Sequence, residues 1–208
     1  MKHRNPIQYI LFICLSFVFQ DSIAQAQHVW PKGPVMVNAK VGSTGDLEIT
    51  ASANSAPTDF DFLVGKWTMD NHKLKTRLNN SNEWTEFQSS DENHNILDGI
   101  GNMDIYKTSF DGKPFEGLTL RLFNPKTKLW SLYWVASNTG VMDPPVVGSF
   151  EGNIGRFYAK DVFQGKPILM VFVWDKTDKD NPVWSQAFSP DNGVTWEWNW
   201  TNVSHRIK

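Results

Sequence analysis

The sequence predicts an all-β fold: one antiparallel sheet of about 8–10 strands running up and down and rolled shut into a barrel. Three observations predict it. From Thr58 onward, short runs rich in Val, Ile, Phe, Trp and Tyr recur every roughly 10–16 residues, with little sustained helical periodicity. The breaks between runs carry turn chemistry, such as Asp111-Gly112, Gln164-Gly165 and Asp191-Asn192-Gly193, where Asn, Asp and Gly accept the positive φ of tight hairpins. Connections this short join antiparallel neighbours, because a parallel crossover needs about a dozen residues or more.

Ten candidate strands follow in order: 66–77, 83–93, 96–108, 116–123, 129–136, 145–150, 155–163, 167–174, 183–189 and 195–204. Alternation supports them. Leu118, Leu120 and Leu122 oppose Thr119, Arg121 and Phe123; Trp130, Leu132 and Trp134 oppose Ser131, Tyr133 and Val135. Ile168, Met170, Phe172 and Trp174 oppose Leu169, Val171 and Val173, so this strand is apolar on both sides and requires a filled interior and an outer cover. In the last strand Trp196, Trp198 and Trp200 alternate, which predicts one shared face, with Glu197 and Asn199 on the other. A sheet this large closes on itself and so loses its sticky edges.

The chain divides into three parts. Lys2 and Arg4 precede an apolar run from Ile7 to Phe19 and then Ala24-Gln25-Ala26, the pattern of a secretory signal peptide over residues 1–26. Residues 27–57, with Pro31, Pro34, Gly42, Gly45 and a Ser/Ala/Asn-rich end, read as a linker or poorly ordered lead-in, and 58–208 as the barrel domain. The leader places the protein in the periplasm or outside the cell. It also contains the only cysteine, Cys14, so the mature domain has neither disulfide nor thiol nucleophile. Removing Lys2, Arg4 and Asp21 from 20 basic and 22 acidic residues leaves a net charge of −3, which gives no footprint for nucleic acid or anionic lipid. No stretch after the leader is long and apolar enough to span a membrane as a helix.

"SPDNGVTWEWNW" (189–200) contains the Ser-x-Asp-x-Gly-x-Thr-Trp turn that recurs in sialidase-type propeller blades. A propeller needs about four to eight blades of some 40 residues each, and one such turn in a domain this short does not supply them. The motif is a hairpin device here: Asp191 caps amides and Gly193 takes the left-handed backbone.

Two features at opposite ends of the domain carry a resemblance. "FDFLVGKW" (60–67) holds Gly65-x-Trp67 at the start of the first strand, and "NWTNVSHR" (199–206) ends on Arg206. A Gly-x-Trp opening with a late Arg resembles the calycin superfamily of lipocalin-like barrels. The further segments "GLTLRLFNPKTKLWSLYW", "MDPPVVGSFEGNIGRFY" and "WSQAFSPDNGVTWEWNW" together resemble a family of secreted bacterial proteins of unknown function with lipocalin-like barrels. The resemblance covers nearly all of 58–208. It implies fold and export, and it implies that Gly65, Trp67 and Arg206 close the barrel, the guanidinium lying over the indole where the first and last strands meet.

The candidate ligand-binding residues are Arg121, Glu86, Glu197, Asn199, Trp134, Tyr133 and Asp143. Arg121 interrupts leucines in "LTLRLF"; pointing inward it needs a carboxylate, for which Glu86 and Glu197 are the expected partners. Asp143, stiffened by Pro144-Pro145, belongs to a rim. His72, His94 and His205 lack metal-ligand spacing, and the chain has no phosphate-cradling glycine loop, so neither metal nor cofactor is expected. The aromatic load at alternating positions points to a barrel that binds a small lipophilic or aromatic molecule. The alternatives are a lyase, isomerase or hydrolase built on a lumen Arg/Glu pair, and a protein that docks partners on exposed tryptophans.

Overall fold

The computed structural model describes residues 30–208. The expected leader lies outside the described residues. A short hairpin, β1 (Ala39–Val41) and β2 (Leu47–Ile49), comes first, followed by a single 3-10 turn at Asp61–Leu63. Ten antiparallel strands then form a closed barrel: β3 (Gly65–Leu74), β4 (Trp84–Ile96), β5 (Gly101–Phe110), β6 (Lys113–Asn124), β7 (Leu129–Ala136), β8 (Val146–Glu151), β9 (Ile154–Phe163), β10 (Lys166–Asp175), β11 (Val183–Ser189) and β12 (Glu197–Arg206). Each strand pairs with its sequence neighbours, and β12 closes the ring on β3, where Arg206 lies opposite Trp67 and Trp200 opposite Lys73. Asp111-Gly112, with φ of 51° and 74°, reverses the chain between β5 and β6 in the left-handed conformation that suits the twist of a hairpin.

One end of the barrel is plugged. The 3-10 turn tucks Phe60 and Leu63 into the lumen, where Phe60 meets Trp130 and Phe150 edge to face at 4.9 and 5.1 Å. Trp67, 1% exposed, donates its indole N–H to the Leu63 carbonyl at 2.6 Å. Arg206 covers the ring from outside at 4.1 Å and donates to the Val64 and Phe62 carbonyls at 2.9 and 2.6 Å. Gly65 is required here: its φ is +124°, and a Cβ would stand 3.3 Å from the Arg206 guanidinium.

The stretch expected as a linker has a defined place. The β1–β2 hairpin and the segment before it pack on the outer face of β9–β12, against Tyr158, Val171, Val173 and Ala187. The Tyr158 hydroxyl donates to the Val35 carbonyl at 2.8 Å and accepts the Val37 amide at 3.0 Å. The Ser52 amide donates to Ser149 Oγ at 2.9 Å. This is the outer cover that the doubly apolar β10 requires.

The final strand departs from simple alternation. Gln186 pairs with Trp200 while its neighbour Ala187 pairs with Trp198, so Asn199 is an extra residue in a β-bulge. The shift moves Trp198 to the outer face, stacked on Trp30 at 5.9 Å, and leaves Trp200 inside over Lys73. The expected single face of three tryptophans is therefore split between the two sides of the sheet.

Candidate functional site

Above the aromatic plug the lumen opens into a cavity of about 320 Å³, within the range of small-molecule sites. Its walls differ in character. Strands β7, β8, β10 and β11 present Leu132, Trp134, Val146, Phe172, Trp174 and Trp184. Strands β4–β6 and β12 contribute Asp91, Asp104, Tyr106, Thr119, Arg121 and Asn202. Gly117 makes room for one aromatic wall: the Trp134 ring lies on its backbone so closely that a Cβ would come within 1.9 Å.

Arg121 points into the lumen and is 4% exposed. Its carboxylate partner is neither of those expected. Asp104 on β5, one pleat from the residue opposite Arg121, places Oδ2 2.5 Å from Nη2, and Nη1 donates to Asn102 Oδ1 at 2.7 Å and Asn93 Oδ1 at 3.2 Å. Glu86 is exposed on the outer face of β4 beside His72 at 3.5 Å, because its position has the opposite parity to Phe87, Ser89 and Asp91. Glu197 is held by a backbone contact: both its carboxylate oxygens accept the Leu78 amide at 2.9 Å. Asn199, buried in the bulge, accepts Gln186 Nε2 at 2.7 Å and does not line the cavity. Trp134, Tyr133 and Asp143 do border it, Asp143 at the open rim.

Asp91 completes the buried polar layer. Burial pushes its carboxyl up to about 8, the neighbouring Asp104 adds to the rise, and Arg121 together with the Asn93 amide at 2.6 Å opposes it. The layer therefore sets the Arg121–Asp104 ion pair beside an acid whose charged form burial disfavours. Burial likewise raises the Tyr106 phenol to about 12; its hydroxyl faces Asn71 Oδ1 at 3.4 Å, and the same oxygen accepts the Trp200 indole N–H at 3.1 Å. Several buried atoms of cavity-lining residues have no hydrogen-bond partner among the described residues: Asp91 Oδ1, Arg121 Nε, Trp174 Nε1 and Asn202 Oδ1. Such atoms cost free energy while they lack a partner.

At the mouth, Lys73 Nζ lies 3.8 Å over the Trp200 ring and the Arg77 guanidinium 5.7 Å from Phe188. Asp143 and Asp161 border the cavity too; partial burial, with the Asp161 charge adding to it, holds the Asp143 carboxyl above its ordinary range. Among the described residues no three His, Cys, Asp or Glu side chains converge as a metal site, and no helix is long and apolar enough to cross a membrane.

The closed ten-stranded meander, plugged at one end and hollow at the other, is a calycin-like barrel. Among solved structures it is similar in fold to the S-type phycobiliprotein lyase CPES from Guillardia theta, with a TM-score of 0.51 and 10% sequence identity over 75% of this chain and 94% of that one. No family model matches the chain, and no curated protein matches it either.

Proposed function

We propose that this barrel binds one small molecule with a largely apolar or aromatic body in its lumen, and that it does so in the periplasm or outside the cell after loss of its leader. One observation carries the reading: a cavity of ligand size has aromatic side chains on one wall and Arg121, Asp104, Tyr106 and Asn202 on the other. An apolar wall on one side and hydrogen-bonding groups on the other suit a flat molecule with a polar edge. Titration with N-phenyl-1-naphthylamine tests it. Saturable binding of one probe per barrel is expected, with quenching of the lumen tryptophans, and it should be lost when Met170→Trp fills the cavity. A barrel that takes up no apolar probe sinks the proposal. Protein purified from its host should begin at Gln27.

A second reading has its own support. Burial raises the Asp91 carboxyl to about 8 in the layer that holds the Arg121–Asp104 pair, the direction in which a general acid must move. On that reading the barrel is a lyase, isomerase or hydrolase whose acid is an aspartate rather than a glutamate. Asp91→Asn would then abolish turnover of a bound substrate while leaving its binding intact.

A further inference from the structure

The mouth holds a feature that an apolar guest alone does not use. Lys73 and Arg77 approach the cavity from one side, and among the described residues neither has a carboxylate within ion-pair distance. Glu197 is the nearest source of compensation, but both its oxygens are directed to the Leu78 amide. Asp91 and Asp104 sit in the buried layer with Arg121. Asp143 belongs to the β7–β8 connection and Asp161 to β9, four strands round the ring from β3 and two from β11, against whose Phe188 Arg77 lies. The cations instead rest on ring faces, Lys73 on Trp200 and Arg77 near Phe188. Arg77 Nε is buried with no hydrogen-bond partner among the described residues.

We infer that the guest is an amphiphilic anion whose acidic head sits between Lys73 and Arg77 while its apolar body fills the lumen toward Trp174 and Trp184. The inference rests on the lumen-binding reading and narrows it. Two like charges held together at a half-buried aromatic rim are unfavourable until an anion joins them, so a carboxylate or sulfonate gains there what a neutral molecule cannot. The aromatic floor beneath the cations limits the room for water and strengthens the pairing. Burial and the neighbouring Arg77 lower the Lys73 ammonium to about 8, so the anion's advantage should weaken as the pH rises through that value.

Two probes that share one aromatic body separate the claims: 8-anilinonaphthalene-1-sulfonate and the neutral N-phenyl-1-naphthylamine. In 0.15 M salt the wild-type protein should favour the sulfonate by about tenfold or more. The Lys73→Met/Arg77→Met double variant, checked for folding by circular dichroism, should bring that ratio near one. Lys73→Arg should restore the preference and carry it past pH 9. If the neutral probe binds as well as the sulfonate in wild type, or the double variant keeps the ratio, the anionic head is refuted and the lumen reading stands. If neither probe enters, both fall.

Discussion

Arg206, opposite Trp67 across the β12–β3 seam, lies 4.1 Å over the indole and at the same time donates to the carbonyls of Phe62 and Val64. One side chain thus fastens the last strand of the barrel to the turn that plugs its end. Lysine can reproduce the charge but not the fork. Arg206→Lys should therefore destabilise the protein by about 1.5–3 kcal/mol, the usual cost of losing charge-assisted hydrogen bonds, as measured by urea unfolding. A variant as stable as wild type would show that the plug is held by packing alone.

Tyr158 fixes the outer hairpin in a comparable way. Tyr158→Phe leaves the Val35 carbonyl and the Val37 amide without their partner and should loosen that segment by about 1–3 kcal/mol. Hydrogen exchange should accelerate in residues 35–49, while the amides of β3–β6 keep their protection.

Trp134 depends on the missing side chain of Gly117. Gly117→Ala would force the ring aside or strain β6, at about 1–3 kcal/mol. The near-ultraviolet circular dichroism of the tryptophans should change, and neutral-probe affinity should fall with it.

Asp91 makes stability depend on pH in a direction opposite to that of most carboxylates. Unfolded it titrates near 3.8, folded at about 8. Between those values the folded state holds a proton that the unfolded chain has lost, so stability declines as pH rises through the window and levels off above it. The slope due to this group is at most about 1.4 kcal/mol per pH unit. Asp91→Asn removes it. The variant should be more stable than wild type at pH 8, with a smaller difference at pH 5, and equal pH profiles would refute the buried-acid assignment.

Most strands were readable because they alternate and because most breaks have Asn, Asp or Gly where the backbone turns left-handed; at the β6–β7 break Lys128 takes that conformation. The contact between Trp67 and Arg206 was readable because an up-and-down sheet that closes must bring its end strands together. The partner of Arg121 was missed although a signal existed. Asn102, Asp104 and Tyr106 alternate with Met103 and Ile105, and Ser89, Asp91 and Asn93 share a face of β4, so two adjacent strands carry polar residues on the lumen side. Glu86 occupies the wrong parity, and Glu197 is drawn to a backbone amide that sequence does not bring near it. The bulge at Asn199 left no trace because an inserted residue between tryptophans looks like regular alternation. The outer hairpin was hidden by its composition: its few apolar residues, among them Val35, Met36 and Leu47, gain order only from the barrel face beneath them.

The seam between β3 and β12 pairs Trp200 with Lys73 and Arg206 with Trp67, from opposite ends of the domain, and the bridge from Arg206 to Val64 spans 142 positions. Pairing so distant is reached late, after the loop entropy of everything between has been surrendered. Until then the lumen tryptophans stand on an open, adhesive surface. A refolding chain should therefore aggregate less the more dilute it is, until that final stitch converts a sticky ribbon into a vessel.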